Sequence, residues 1–268
     1  MQGVGSCQEL EECGLEMNGW IFVIILAFVA IAGLIAAASY YLDKQRREQM
    51  QAVAARMGFS FSAEDEAGLR RRLGRFHLFS QGRSRKIRNV MRGASHGAAV
   101  ALFDYQYTTG SGKHAHIHRR TVLLFETEQL RLPFFTLRPQ GLFHKLAAAF
   151  GNRDIDFDAH PVFSDAYLLR GSDESQIRDL FSEEVLSFYE RRENLCTEGA
   201  GQQLVFYREN QREEPEWMER FLEEGLEVLD LFWESEEAPD TPPLRDVDFD
   251  QGKALDEVLA QLDVEGWE

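Results

Sequence analysis

Three histidines alternate in one short stretch, His114, His116 and His118 within KHAHIHRR. In an extended strand, residues i, i+2 and i+4 project from one face. Three neutral imidazoles there can hold zinc with a fourth position left open, the arrangement of a catalytic site. The spacing opposes this use. Same-face neighbours on one strand stand about 7 Å apart and three of them span about 13 Å, so their rings converge poorly on one ion. The ordinary reading is a solvated strand face, and a metal site here requires a ligand from another element. The three are retained as candidate metal ligands, and no cofactor is assigned.

Other constellations fail on chemistry. Gly110-Ser111-Gly112-Lys113 has the composition of a phosphate loop. That loop needs Gly five residues before the glycine of the Gly-Lys pair and Ser or Thr after the lysine. Tyr107 and His114 stand in those places, and the segment joins two strand-like runs as a hairpin. Asp154 to Asp158 (DIDFD) and Asp246 to Asp250 (DVDFD) resemble calcium loops. The second lacks the glycine at its sixth place, where Gln251 stands, and no helix enters it. The chain contains no Gly-x-Ser-x-Gly elbow, no His-Glu-x-x-His helix and no paired-cysteine zinc pattern. A Ser/His/Asp triad assembled from distant residues remains open.

The elements that must position any site begin with a membrane span. Trp20 to Leu42 (WIFVIILAFVAIAGLIAAASYYL) carries no charge. At about 1.5 Å per residue it covers about 34 Å, enough for a hydrocarbon core of about 30 Å. Residues 1–19 hold four acids and no Lys or Arg, whereas Lys44, Arg46, Arg47 and Arg56 follow the span. Basic residues stay on the cytoplasmic side, which predicts a single-pass protein of the bacterial inner membrane, N-terminus outside and C-terminus cytoplasmic. A cleaved signal peptide is the rival, with Ala36 to Ala38 as its cleavage site. The acidic start and the length of the apolar run oppose it. Gly33 and Ala37 form one small-xxx-small step, which allows a homodimer through the span. Cys7 and Cys13 fall on the outer side, where they can pair, and Cys196 falls inside as a free buried thiol.

Charge is distributed unevenly. The chain has a net charge of −16, and residues 212–268, with twenty acids and four bases, account for all of it. Bases concentrate at Arg70, Arg71, Arg72, Arg75, Arg83, Arg85, Lys86, Arg88 and Arg92. This basic segment has three readings: contact with anionic membrane lipid, binding of the acidic tail, or a solvated face. The overall acidity and the lack of a reading motif argue against nucleic acid.

The predicted organisation is a short extracytoplasmic start (1–19), the span (20–42), a juxtamembrane helix (43–57), a cytosolic domain (58–233) and an acidic flexible tail (234–268). Within the domain, strands are expected near residues 59–62, 76–80, 88–92, 98–107, 115–126, 133–138, 154–157, 166–169 and 202–208. Helices are expected over 63–73, 140–150, 172–191 and 215–233. In the strand at 98–107 the aromatic face of Ala101, Phe103, Tyr105 and Tyr107 is the better core candidate. Strands following one another without helical crossovers make this an α+β antiparallel-sheet domain with packing helices. In the tail, Leu255, Val258, Leu259 and Leu262 have the spacing of a short helix that docks in a groove of a partner or of its own domain, and the alternative is a solubilising tail with chance apolar spacing.

The phrases FHLFSQGRSRKIRNVMRG, VALFDYQYTTGSGKHAHIHRRTVLLFE and LPFFTLRPQGLFHKLAAAFGNRDIDFDAHPVFSDAYLLRG resemble uncharacterised bacterial single-pass membrane-anchored proteins that carry them in the same order. The resemblance spans about residues 55–190. It implies a membrane-tethered compact domain and carries over no catalytic residue. Together these observations predict a non-enzymatic interaction or scaffold domain tethered to the membrane and bound to a protein partner through its tail. The alternative is a membrane-bound hydrolase or metal-dependent enzyme.

Overall fold

The computed structural model describes residues 19–65, 68–140 and 154–233. The chain divides into two compact units between Glu48 and Gln49. The first contains most of a continuous helix, α1 (Gly19–Arg56), which is long and apolar enough to cross a membrane. The side chains of Trp20 and of the apolar residues from Phe22 to Leu42 are exposed. In water such a surface would be unstable; facing lipid tails it is not.

The second unit is built on one eight-stranded antiparallel sheet in the order β1-β2-β3-β4-β8-β7-β5-β6. The strands are β1 (Ser60–Glu64), β2 (Arg83–Ser95), β3 (Ala98–Thr109), β4 (His116–Glu126), β5 (Leu132–Pro139), β6 (Tyr167–Gly171), β7 (Leu195–Gly201) and β8 (Gln203–Arg208). The expected α+β antiparallel class is what the structure has. β2 and β3 meet through a two-residue turn, His96-Gly97, with φ of 52° and 72°. Both central residues at positive φ suit the twist of a hairpin. The β7–β8 hairpin sits between β4 and β5. β7 reads LCTEGAG, with little strand propensity, and the sequence alone did not suggest it.

Both faces of the sheet are covered. One face packs Leu102, Leu123, Phe125, Phe135 and Phe206 against α5 (Glu174–Leu180), α6 (Glu183–Glu190) and α7 (Met218–Leu231). Met50, Val53 and Ala54 of the last turns of α1 join this layer. Gly225 of α7 lets the helix lie close to the sheet: a Cβ there would stand 2.5 Å from Leu123 Cδ1. The other face packs Phe103, Tyr105, Tyr107, Val122 and Val205 under α2 (Leu69–Arg72) and α3 (His77–Ser80). The aromatic face of β3 is therefore core, but so is the opposite one, where Val100 and Leu102 are buried as well.

Several elements differ from expectation. Residues 77–80 form α3 instead of a strand. Residues 154–157 lie outside any strand, with Ile155 N donating to Leu169 O at 2.9 Å. The helix expected over 172–191 is two helices. Phe181 leaves helical geometry (φ −85°, ψ 70°), and the Ser182 hydroxyl caps α6 at Val185 N. The break turns Glu184 to solvent and buries Val185, Leu186, Phe188 and Tyr189. A short α4 (Pro161–Ala166) precedes β6. The helix expected over 140–150 lies largely outside the described residues.

Candidate functional site

The three histidines do not form one row. His114 closes a 3-10 turn (Gly112–His114) before β4 begins. His116 and His118 are in β4, opposite Thr109 and Tyr107. His114 and His116 are exposed; His118 is half-buried and stacks on Tyr107 with ring centroids 4.7 Å apart. Asn210 Oδ1 accepts from Arg120 Nη2 at 3.2 Å, which identifies that atom as oxygen. His118 Nδ1, 3.2 Å from the same oxygen, is therefore a donor, and Nε2 lies 2.8 Å from the Thr109 hydroxyl. Among the described residues no group of three His, Cys, Asp or Glu side chains is placed to hold a metal ion.

Two residues beyond His118, Arg120 anchors a buried ionic network that the sequence did not reveal. Arg120 is 1% exposed. It donates to Glu209 Oε1, and its guanidinium lies 5.2 Å and 5.5 Å from the ring centroids of Tyr107 and Tyr207. Arg138 donates to the other oxygen, Glu209 Oε2, at 3.2 Å, and to His77 Nε2 at 2.8 Å. Arginine has donors only, so His77 Nε2 accepts and the ring is neutral. Burial, with the Arg138 charge beside it, pushes His77 down to about 4. Glu198 accepts from Tyr207 Oη at 2.9 Å and from the amides of His77 and Leu78 at 2.6 Å and 3.0 Å, while burial raises its pKa. Cys196 Sγ is 3.6 Å from Glu209 Oε2, and burial followed by that carboxylate pushes the thiol well up.

This arrangement is suited to holding the sheet together. Glu209 is gripped by two arginines and Glu198 by three donors, and the thiol is far from becoming a thiolate nucleophile. Arg120 Nε and Nη1 and Arg138 Nε have no hydrogen-bond partner among the described residues. Two tyrosine rings supply part of what solvent would give Arg120. The partners are up to 121 residues apart, so no local spacing could expose them. The legible signal was weaker: single charges inside apolar strands, Glu198 in LCTEGAG and Arg138 in FFTLRP.

The nine bases of residues 70–92 divide by role. Arg72 pairs with Glu126, and Arg75 donates to Ala200 O at 3.0 Å and to Gln203 Oε1 at 2.7 Å. Arg83 donates to Gly110 O, and Arg85 holds the carbonyls of Gln81 and Gly82, each at 2.9 Å. Arg92 is half-buried beside the β1–β2 pairing. Arg70, Arg71, Lys86 and Arg88 are exposed and, with Glu64, Asp65, Gly68 and Ile87, line a cleft of about 650 Å³. A second cleft of about 450 Å³ is lined by Glu193, Asn194, Arg208, Gln211, Glu213, Trp217, Arg220 and Phe221. In it Arg208 is bound to Glu213 and Glu224. The three histidines line neither cleft. Leu255, Val258, Leu259 and Leu262 lie outside the described residues.

A sheet of eight antiparallel strands, covered by helices on both faces and carried in a chain with one apolar N-terminal helix, defines an α+β domain with a candidate membrane anchor. No protein-family model and no curated protein matches the chain. Among solved structures, the chain is similar to the mycobacterial trehalose monomycolate transport factor A, TtfA, with a TM-score of 0.51 and 14% sequence identity. The match covers 74% of this chain and 97% of that one. At this identity the likeness establishes a shared fold.

Proposed function

We propose that this protein is a non-enzymatic, transport-factor-like scaffold that α1 tethers to a bacterial inner membrane. One conjunction carries the reading: an apolar helix long enough to span a bilayer, in the same chain as a domain with the fold of TtfA, a trehalose monomycolate transport factor. The N-terminus is outside and the domain cytoplasmic, an orientation supported by the four acids before Trp20 and the bases after Leu42. The domain contacts anionic lipid through its basic segment. The tail from residue 234 presents Leu255, Val258, Leu259 and Leu262 to a protein partner, and its acids speed the encounter with a basic surface. A membrane-bound hydrolase or metal enzyme needs reactive side chains grouped where substrate can reach them. Among the described residues the histidines are scattered and the buried carboxylates are saturated by donors.

Co-purification from mild detergent, with the full chain and with a chain lacking residues 234–268, tests the scaffold reading. The full chain should recover a specific partner that the truncated chain loses, and recovery should weaken at high salt. Identical partners from both chains at both salt concentrations would refute the tail's role. A reporter fused after Glu268 that works only in the periplasm would reverse the orientation.

A further inference from the structure

We propose that the cleft between α2 and the middle of β2 binds a phosphate-bearing anion through Arg70, Arg71 and Lys86. The ligand is either a phospholipid headgroup or a soluble phosphoryl compound. For the headgroup this deepens the lipid contact proposed above.

Three observations converge on it. The first is unspent charge. Arg70, Arg71 and Lys86 form no ion pair with any described carboxylate, unlike Arg208 in the second cleft. Asp65 is committed elsewhere: its oxygens accept from Leu69 N at 2.7 Å and Arg70 N at 2.9 Å. It thus holds the first amides of α2, the helix that carries the two arginines. Among the cleft's described residues, Arg70, Arg71 and Lys86 face the carboxylates of Glu64 and Asp65.

The second is the shape of β2. Its pairing with β3 shifts register twice, between Arg83 and Lys86 and between Arg88 and Met91. Ser84 and Asn89, both at φ 52°, lie in these irregular stretches. Left-handed backbone is costly for residues other than glycine, and bulges re-aim the side chains beside them. The segment between the two shifts supplies Lys86 and Arg88 to the cleft. Asn89 has a structural reason for its position, a bond from Nδ2 to Asp104 Oδ2 at 2.9 Å.

The third is ligand chemistry. The cleft's volume falls in the range of small-molecule sites, about 300–1,000 Å³. Ile87 is its apolar contribution and the charged groups dominate, which suits a polar anion. Guanidinium forks match phosphate oxygens two at a time, and a lysine ammonium adds a point charge.

Phosphorus-31 NMR on the full chain in neutral detergent tests this with two probes: inorganic phosphate, and short-chain phosphatidylglycerol against phosphatidylcholine. Saturable line broadening is expected for phosphate or for phosphatidylglycerol, and not for phosphatidylcholine. Broadening by phosphate itself assigns a soluble phosphoryl ligand; broadening by the glycerol lipid alone assigns a headgroup. R70S/R71S/K86S should weaken binding at least tenfold, K86E alone about threefold or more, and R119S, an exposed base on β4, not at all. No saturable binding, or equal binding by wild type and the triple variant with unchanged thermal unfolding, overturns the proposal. So does binding that emerges only after residues 234–268 are deleted, since the tail is then the occupant. Alkaline extraction of membranes separates this from the anchor reading: a chain that stays in the membrane but binds no phosphate loses only the cleft.

Discussion

The two faces of the sheet are held by different physics. The face under α5, α6 and α7 is an apolar and aromatic layer, with contacts such as Phe135 on Phe181 at 5.2 Å and Phe206 on Phe221 at 5.3 Å. The face under α2 and α3 is apolar at β3 and becomes ionic at Arg120, Arg138, Glu209 and Glu198. Apolar packing is non-directional and absorbs changes of shape at moderate cost. A buried ion pair is directional and tolerates the loss of a partner badly. The first layer therefore supplies stability, and the second specifies register and the seating of α3 on the sheet.

The comparison breaks most sharply at Glu209. Glu209→Ala leaves two buried guanidinium groups facing each other and should cost about 3–5 kcal/mol, read as thermal or denaturant unfolding of the full chain in detergent. A loss below about 1 kcal/mol would mean that water already solvates the network. On the apolar face, Leu123→Ala under Gly225 should cost about 3 kcal/mol, with little change in cooperativity.

The pH dependence distinguishes the faces further. His77 is depressed to about 4 in the folded chain against an ordinary 6.5, so the unfolded chain binds the proton first as pH falls. His77 thus contributes stability that is full above about 6.5 and is lost as pH falls towards 4, up to about 3 kcal/mol. Glu198, raised by burial, acts with the opposite sign: its contribution is lost as pH rises. His77→Gln should flatten the stability curve between pH 6.5 and 4, and an unchanged slope would show that His77 does not titrate there. Smaller still, Ser182→Ala removes the cap of α6 and should cost about 1 kcal/mol. A null result would show that the break is held by Phe181 packing alone.

Much of the architecture was legible. The uncharged run from Trp20 to Leu42 could only be an apolar helix, and short apolar runs bounded by turn residues exposed β3, β4 and β8. The helix expected over 215–233 matched α7, whose Met218, Phe221, Leu222, Val228 and Leu229 are buried. Misreadings fell where local pattern competes with tertiary context. Residues 76–80 were expected as a strand, yet the amides of His77 and Leu78 are gripped by Glu198 and residues 77–80 turn helical. The stretch 172–191 was expected as one helix, yet the Ser182 hydroxyl caps a second one. β7 was invisible because Thr, Glu, Gly and Ala form a strand there only when β5 and β8 pair with them.

The sequence by itself determined what depends on neighbours along the chain: the candidate span, the charge asymmetry, most strands, and the poor geometry of three histidines for one ion. The tertiary structure decided which charges matter. Of nine bases in one stretch, Arg72, Arg75, Arg83 and Arg85 meet Glu126, Gln203 and backbone carbonyls, while two bulges in β2 bring Lys86 and Arg88 to one cleft. Arg120 meets Glu209 across 89 residues because β8 pairs with β4. Ion pairing depends on distance in space, and distance between remote residues exists only once strands have chosen their partners.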